Sequence, residues 1–539
     1  MAEEQRGQGR PDEFEEPPPQ YDVAVIGYGP TGATAANLLG AAGLSVLVVE
    51  RDPSVYARAR AVSTDEEVLR IWQQAGLAER IEQDVLAGWL TEFVDGNGRA
   101  FMTASPPSRG HGHPPQMFIH QPSVERVLRE GVDRYPNVQV LLGHECVALD
   151  QRTDSVELEI VPAGSAGDPG TVTAVRPAGG RVSARYVIAA DGGSSRTRTQ
   201  LGTGFAGRTY EDRWVVIDTK VLEDWPTRDR LRFRCDPARP AVDCPMPLGH
   251  HRWEFPVLPG EDEAELVTEA AVRGLLARYG ITERNVEILR AVVYSHHVRF
   301  ASRWRSGRVF LAGDAAHVMP PWIGQGMAAG VRDAGNLCWK LAGVLDGTLP
   351  ESVLDSYETE RQPNVRTITR RAVIVGWFVT QRSKRIVAAR NPVLRILNRI
   401  SPLRRRLVHA LWIPECRYTK GFLRTGGFLG TGRGGSAVGF KVPQPWVLDE
   451  DGSRVRLDDA LARDGKSGWS LIRIAGSPNW SEFDARTLDL LPAGSPPRAG
   501  ALVDAEGVLG TWMRKHKAAH LLLRPDQVVY ASSSSEVAA

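Results

Sequence analysis

Gly313 and Asp314 end a short apolar run, RVFLAGD, which leads into a Pro- and Gly-rich turn, PPWIGQG, and then a small-residue helix, MAAGVRDAGNLCWKL. A carboxylate at a strand end can hold a ribose hydroxyl. Backbone amides at a glycine-rich helix start can face an anion or a polarised ring oxygen. The complementary parts lie far upstream. Gly27, Gly29 and Gly32 form GxGxxG between the apolar run Asp22 to Ile26 and an Ala-rich helix that opens on Pro30 and Thr31. The first glycine permits the tight turn, the second lets the backbone approach a pyrophosphate, and the third lets helix and strand pack closely. The next apolar run, SVLVV, closes on Glu50 and Arg51, and Glu50 stands 18 positions after Gly32, the spacing of an acid that holds an adenosine ribose. A third strand end, RYVIAADGG, carries Asp191-Gly192 and is followed by Ser195 and Arg198.

These residues need a strand–helix–strand opening and a late strand–helix, which predicts an α/β dinucleotide-binding domain made of two distant parts of the chain. Between them, LRFRCDPARP, HRWEFPVLPGE and AVVYSHHVRF read as strands of a second sheet, and VTEAAVRGLLARYG as a helix with a Gly stop. Past residue 425 the composition changes. A Gly-rich linker, GFLRTGGFLGTGRGGSAVG, precedes a strand–turn–strand, KVPQPWVLDEDGSRVRLDDAL, a strand in WSLIRIAGSP and a closing hairpin, HLLLRPDQVVYA.

At 539 residues the chain has room for two to four domains, and a net charge of +2 gives no argument for nucleic acid as a partner. Five cysteines (146, 235, 244, 338, 416) are scattered without paired spacing, which predicts a reduced, cytoplasmic chain with no disulfide frame and no metal site. The acidic, Pro-rich start (1–20) has no apolar core and reads as a disordered tail rather than a signal peptide. No run reaches the ~20 apolar residues of a membrane helix. Arg382 to Arg406 holds nine Lys or Arg and no acid, and reads as helical scaffold with its cations in water or paired.

The order GxGxxG, central DG, late GD resembles the single-component FAD-dependent aromatic hydroxylases of the para-hydroxybenzoate hydroxylase type. Within that family, RAVSTDEEVLR, FIHQPSVERVL, CDPARPAVDCPMP, HRWEFPVLPGE and VYSHHVRFASRW resemble the branch acting on hydroxyphenylpropionates. The resemblance implies a Rossmann-like FAD-binding domain (21–205 and 301–424, the latter with a helical segment), an inserted mixed-sheet substrate domain (206–300) and a C-terminal thioredoxin-like domain (425–539). That last domain contains no cysteine, so it carries no dithiol chemistry; a structural or homodimer-contact role is expected.

The implied reaction uses NADH or NADPH, FAD and dioxygen to hydroxylate a phenol ortho to its hydroxyl and give a catechol. The implied substrate is 3-(3-hydroxyphenyl)propionate or 3-hydroxycinnamate, with no membrane or nucleic acid involved. By the same resemblance Glu50 holds the adenosine ribose, Arg60 and Gln121 contact the cofactor's phosphates and linker, and Asp314 takes the ribityl chain. Gly324, Gln325, Gly326 and Met327 line the isoalloxazine end, and Asp191 combines structural support with nicotinamide access. Tyr294, His296 and His297 lie on a strand entering the pocket, where a proton relay is expected; alternation is expected to leave one of the three facing it. Arg234 and Arg252 are the expected partners of a substrate carboxylate, and His317 reads as a supporting group behind the flavin. Two other readings compete: a hydroxylase of fused-ring polyketides or other bulky aromatics, and a non-catalytic flavin-holding scaffold. A halogenase is disfavoured, because Trp412-Ile413-Pro414 lacks the tryptophans of WxWxIP.

Overall fold

The computed structural model describes residues 20–55, 60–164, 180–424, 437–462, 467–474 and 483–534. The expected N-terminal tail and most of the Gly-rich linker lie outside them. The first sheet has a parallel centre in the order Val309–Leu311, Arg181–Ala189, Gln20–Ile26, Val46–Glu50, Val138–Leu142. These strands are near-continuous runs of Val, Ile, Leu and Ala because both faces are covered, one by helices such as Pro30–Ala41 and the other by the antiparallel strands His144–Gln151 and Val156–Pro162. Helix Pro30–Ala41 begins with Pro at its first turn, and its buried Gly32, Ala33, Ala35 and Ala36 let it pack against helix Gly326–Leu345. That partner is equally small-sided, with Ala328, Ala329, Gly330 and Ala334 buried.

The second sheet is laid over the first domain as a lid. Its order is His317–Val318, Val286–Ala301, Phe205–Val221, His250–Pro256, Ala241–Pro245, Arg230–Arg234, Leu90–Val94, Ala100–Ala104. The lid therefore reaches outside the 206–300 stretch expected to form it. Its last two strands come from the segment assigned to the first FAD part, and strand His317–Val318 from the second. Sequence contiguity could not reveal this, because a hairpin such as LTEFVDGNGRAFMTA fits the edge of either sheet. One lid face is sealed by helix Glu269–Ala277, which buries Val215, Ile217, Trp253, Phe255 and Leu276 together. The other looks toward the FAD-type domain.

A third sheet, Arg454–Arg456, Trp446–Leu448, Ala501–Asp504, Arg486–Pro492, Ser470–Ile474, Ala518–Leu523, Val529–Ser534, forms the C-terminal unit around its own core. The basic segment folds as helices Lys384–Arg399 and Ser401–Leu411. Arg390 there bonds the Phe378 carbonyl at 2.6 Å and Arg395 meets Asp95 at 3.5 Å. No described helix is long and apolar enough to cross a membrane.

Candidate active site

The three motifs meet at the carboxyl ends of adjacent parallel strands, the place where open α/β sheets bind ligands. Gly27 (φ +97°) is packed so tightly that a Cβ on it would lie 2.4 Å from the Ala190 carbonyl oxygen, beside Asp191. A Cβ on Gly32 would lie 1.9 Å from the Gly27 oxygen, whereas one on Gly29 would meet nothing within 4 Å. The glycines thus divide their work: two close the loop on itself, and the middle one leaves a cradle in front of the helix start. Glu50 borders that cradle, accepting from Tyr28 N at 2.7 Å and Asp52 N at 2.8 Å. Arg51 is exposed beside it.

Asp191 Oδ2 accepts from Thr197 N at 3.1 Å, while its Oδ1 is buried without a partner. Arg198 bonds the carbonyls of Gly193 (2.8 Å) and Ala315 (3.0 Å), tying the DG loop to the GD loop. Asp314 points into the open cleft. The protein packed around it raises its carboxyl above the usual range, with His317 and Arg60 pulling the other way. Behind it, Asp333 accepts from Gly313 N (3.0 Å), His317 Nε2 (2.7 Å) and Arg361 Nε (2.9 Å). Burial would raise Asp333, but His317 and Arg361 outweigh it and hold the carboxyl low. His317 is thus bound to the loop's support.

Gln325 is 1% exposed. It donates to Asp65 Oδ2 at 3.0 Å and accepts from Arg332 at 3.0 Å, which fixes the turn Gly324-Gln325-Gly326 ahead of Met327. Gln121 is occupied locally: its oxygen takes the amides of Arg60 (2.9 Å) and Ala61 (2.5 Å), and its nitrogen donates to Glu125 (2.6 Å). It shapes the 60–61 backbone, while the Arg60 side chain lies exposed near Asp314.

The lid's inner face is read from strand register. Tyr294 pairs with Trp214, Val292 and Glu254 with Val216, and Arg290 and Arg252 with Asp218, so these share one face. Trp214 meets Trp322 of the PPWIGQG turn edge-on at 5.0 Å, and Arg252 bonds the Arg60 carbonyl at 2.9 Å, so this face fronts the cleft. His296 lies between Trp214 (6.0 Å) and Trp322 (5.5 Å), with Tyr294 at 5.7 Å. Burial, with His297 adding to it, lowers His296 to about 4. Tyr294 is half exposed, and the protein around its hydroxyl raises the phenol, Asp314 and Glu254 raising it further and Arg60 opposing.

Two expectations are corrected here. Alternation does not isolate one of Tyr294, His296 and His297: period two keeps 294 and 296 together, and only His297, which meets Thr209 at 3.1 Å, is turned away. Arg234 belongs to the opposite, sealed face. It bonds Asp243 at 2.8 Å and stacks on Tyr279 at 3.9 Å, so it is not placed to meet a substrate in the cleft. Arg252 is on the correct face but is shared: it bonds Asp218 at 2.7 Å, and Arg290 bonds the other oxygen of Asp218 at 2.5 Å. Sequence reading missed Glu254, Asp218 and Arg290. The signal for Glu254 was available: in RWEF, Arg252 and Glu254 stand two apart and must share a face. The Glu254 carboxyl is raised by burial, against Arg252 and with Asp218.

The cradle at Gly29, the acid at the second strand end, the unpaired Asp191 oxygen and the cleft-facing Asp314 fit FAD, which needs room for a pyrophosphate and acceptors for sugar hydroxyls. Comparison with known proteins agrees. Residues 20–372 match the family described as FAD binding domain, and residues 439–539 the HcaD C-terminal domain. A 3-(3-hydroxy-phenyl)propionate/3-hydroxycinnamic acid hydroxylase of Burkholderia cenocepacia (strain HI2424) is 35% identical, over 95% of this chain and 94% of its own. One of Escherichia coli O139:H28 (strain E24377A / ETEC) is 33% identical, over 95% and 91%. Among solved structures, the flavin-dependent monooxygenase PieE in complex with FAD and substrate superposes with a TM-score of 0.78 at 22% identity, covering 96% of both chains. OxyS anhydrotetracycline hydroxylase from Streptomyces rimosus does so at 0.70 and 25%, again over 96% of each.

Proposed function

The chain belongs to the FAD binding domain family and is an FAD-dependent aromatic hydroxylase, and from that premise we propose that it hydroxylates a monocyclic phenol bearing a short carboxylate side chain, ortho to the phenol, with NADH or NADPH as reductant. FAD, when bound, would take two electrons from NADH or NADPH and activate dioxygen, one atom of which enters the ring while the other leaves as water. In this reading Glu50 holds the adenosine ribose, the helix start behind Gly29 faces the pyrophosphate and Asp314 takes the ribityl hydroxyls. The backbone of 324–327 borders the ring system.

The substrate ring lies between that loop and the inner face of the lid. Trp214 and Trp322 supply an aromatic wall that keeps water away from the reacting carbon. Arg252 and Arg290, both bonded to Asp218, are guanidinium groups on this face whose planar forks match a substrate carboxylate. Tyr294, His296 and Glu254 are the groups on this face able to take or pass the phenol proton, whose loss activates the ring toward oxygen transfer. His296 is neutral at working pH, so it relays by accepting and donating rather than by acting as a cation.

The observation carrying this reading is the inner face itself, where guanidinium groups, aromatic wall and proton-handling groups lie in adjacent rows opposite the FAD cleft. The names of the relatives, which match across the lid as well as the FAD segments, support the same substrate class. The test offers 3-(3-hydroxyphenyl)propionate, its amide and a neutral polycyclic phenol to the purified holoenzyme, scoring NADH or NADPH oxidation and the catechol formed. The acid should turn over with coupled product and the amide weakly. Efficient turnover of the polycyclic phenol without the acid would overturn the assignment.

A further inference from the structure

The C-terminal unit is joined to the FAD domain through buried charge. Arg70 bonds both carboxylate oxygens of Asp458 at 2.6 Å, and also the Val442 carbonyl at 2.6 Å. Arg524 reaches Glu360 at 2.7 and 3.0 Å, where Lys340 (2.9 Å) also ends. A third connection leads further. Lys441, on the C-terminal side, lies 3.4 Å from Glu67 Oε1, and the other Glu67 oxygen accepts from Arg332 Nε at 2.6 Å. The same guanidinium donates to Asp65 at 2.6 Å and to Gln325 at 3.0 Å, and Gln325 itself donates to Asp65 at 3.0 Å. Gln325 is the residue between Gly324 and Gly326 in the loop read above as bordering the flavin ring. A continuous run of contacts thus leads from the C-terminal unit to that loop.

We propose that Lys441, Glu67 and Arg332 transmit the docking of the C-terminal unit to the loop 324–327, so that Arg332 is a positioning residue for the flavin ring. The set is neutral: Lys441 and Arg332 against Glu67 and Asp65. All but the last few per cent of Arg332 and Asp65 is shut away from solvent (4% and 3% exposed). In such surroundings an unmatched charge cannot be left to water, so losing one member forces the others to move. Without Lys441, Glu67 draws the Arg332 guanidinium toward itself. Arg332 then holds Gln325 and Asp65 less well, and the turn slackens. Asp65 passes the same change to helix Glu66–Gln74, whose first amides at Glu67 and Val68 it caps at 3.1 and 3.3 Å. The C-terminal unit is then part of the flavin site's support rather than an appendage.

The proposal rests on the placement of loop 324–327 at the flavin, and the test separates the two. Apoprotein of full-length Lys441→Met, Lys441→Arg, Gln325→Ala and the Lys441→Met/Gln325→Ala double variant is titrated with FAD, following flavin fluorescence and the absorption spectrum of the bound form. Lys441→Met should weaken FAD binding roughly 3- to 30-fold and shift the bound spectrum, with Lys441→Arg restoring both. The double variant should bind no worse than the weaker single one, because both changes release the same turn. Losses that multiply would overturn the coupling, as would wild-type binding by Lys441→Met beside a weakened Gln325→Ala. Wild-type binding and spectrum in Gln325→Ala would instead remove the loop from the flavin. If Lys441→Met fails to fold, Glu67→Gln, which keeps the shape and removes the charge Arg332 answers to, is held to the same outcomes.

Discussion

Asp314 shows what a single side chain contributes at this site. Its carboxyl is aimed into the cleft while behind it Asp333 binds His317, Arg361 and the Gly313 amide and so holds the backbone still. Asp314→Ala should therefore leave folding intact and weaken FAD by roughly 10- to 150-fold, the worth of a charge-assisted hydrogen bond of ~1.5–3 kcal/mol. Unchanged affinity in titration of the folded variant would exclude Asp314 from the site. His296 carries a pH signature. Its imidazole is held to about 4 in the fold against an ordinary 6.5. Above the ordinary value both states are neutral and the fold has its full stability. As pH falls from 6.5 toward 4 the unfolded chain takes up a proton that the fold refuses, so stability is lost, by up to about 3 kcal/mol. Urea midpoints at pH 7 and pH 4.5 should converge for wild type and His296→Phe on acidification, the wild type losing more. Equal losses would show that His296 is not the group titrating.

At the scale of elements, the glycine loop separates folding from binding. Gly29 has an extended backbone and open space before it, so Gly29→Ala should cost less than about 1 kcal/mol in the apoprotein, yet cut FAD affinity about tenfold or more by filling the cradle. Gly32→Ala drives a methyl into the Gly27 oxygen and should destabilise the apoprotein itself by ~1–3 kcal/mol. Denaturant titration of both apoproteins, followed by FAD titration, checks the pair; equal stability losses would mean that the loop is adaptable and that the division of roles is wrong. The lid sheet applies the same logic with period two. Arg252 and Glu254 face the cleft because they share parity along their strand. Arg232 and Arg234 pair with Asp243 and Ala241 on the face sealed by helix Glu269–Ala277.

The whole molecule is held together by contacts between residues hundreds of positions apart. Arg70 and Asp458 are both buried, at 0% and 4% exposure, so removing one partner strands the other charge. Arg70→Ala should cost about 3–5 kcal/mol and uncouple the C-terminal unit from the rest, splitting one denaturation transition into two. A single unshifted transition, followed by tryptophan fluorescence and by calorimetry, would show that the apolar contacts alone hold the unit in place. Because the same unit reaches Gln325 through Lys441, loss of docking and loss of flavin-loop order are expected together.

The sequence by itself determined the FAD half of this protein. Strand, glycine turn, helix start and acid are close neighbours in the chain, and each part has a local physical requirement that few residue types meet. The motif order and the matching segments also carried the family. The surroundings of the substrate were only partly legible. That Tyr294 and His296 share a face follows from spacing alone, but which face of the lid meets the cleft depends on what packs on the other side, and helix Glu269–Ala277 decides that. Arg234 therefore looked as suitable as Arg252 until the sheet was assembled. The roles of Asp218, Glu67, Arg332 and Lys441 were not legible at all. A buried charge takes its meaning from its partner, and here the partners come from other elements, brought together only when the sheets and helices pack.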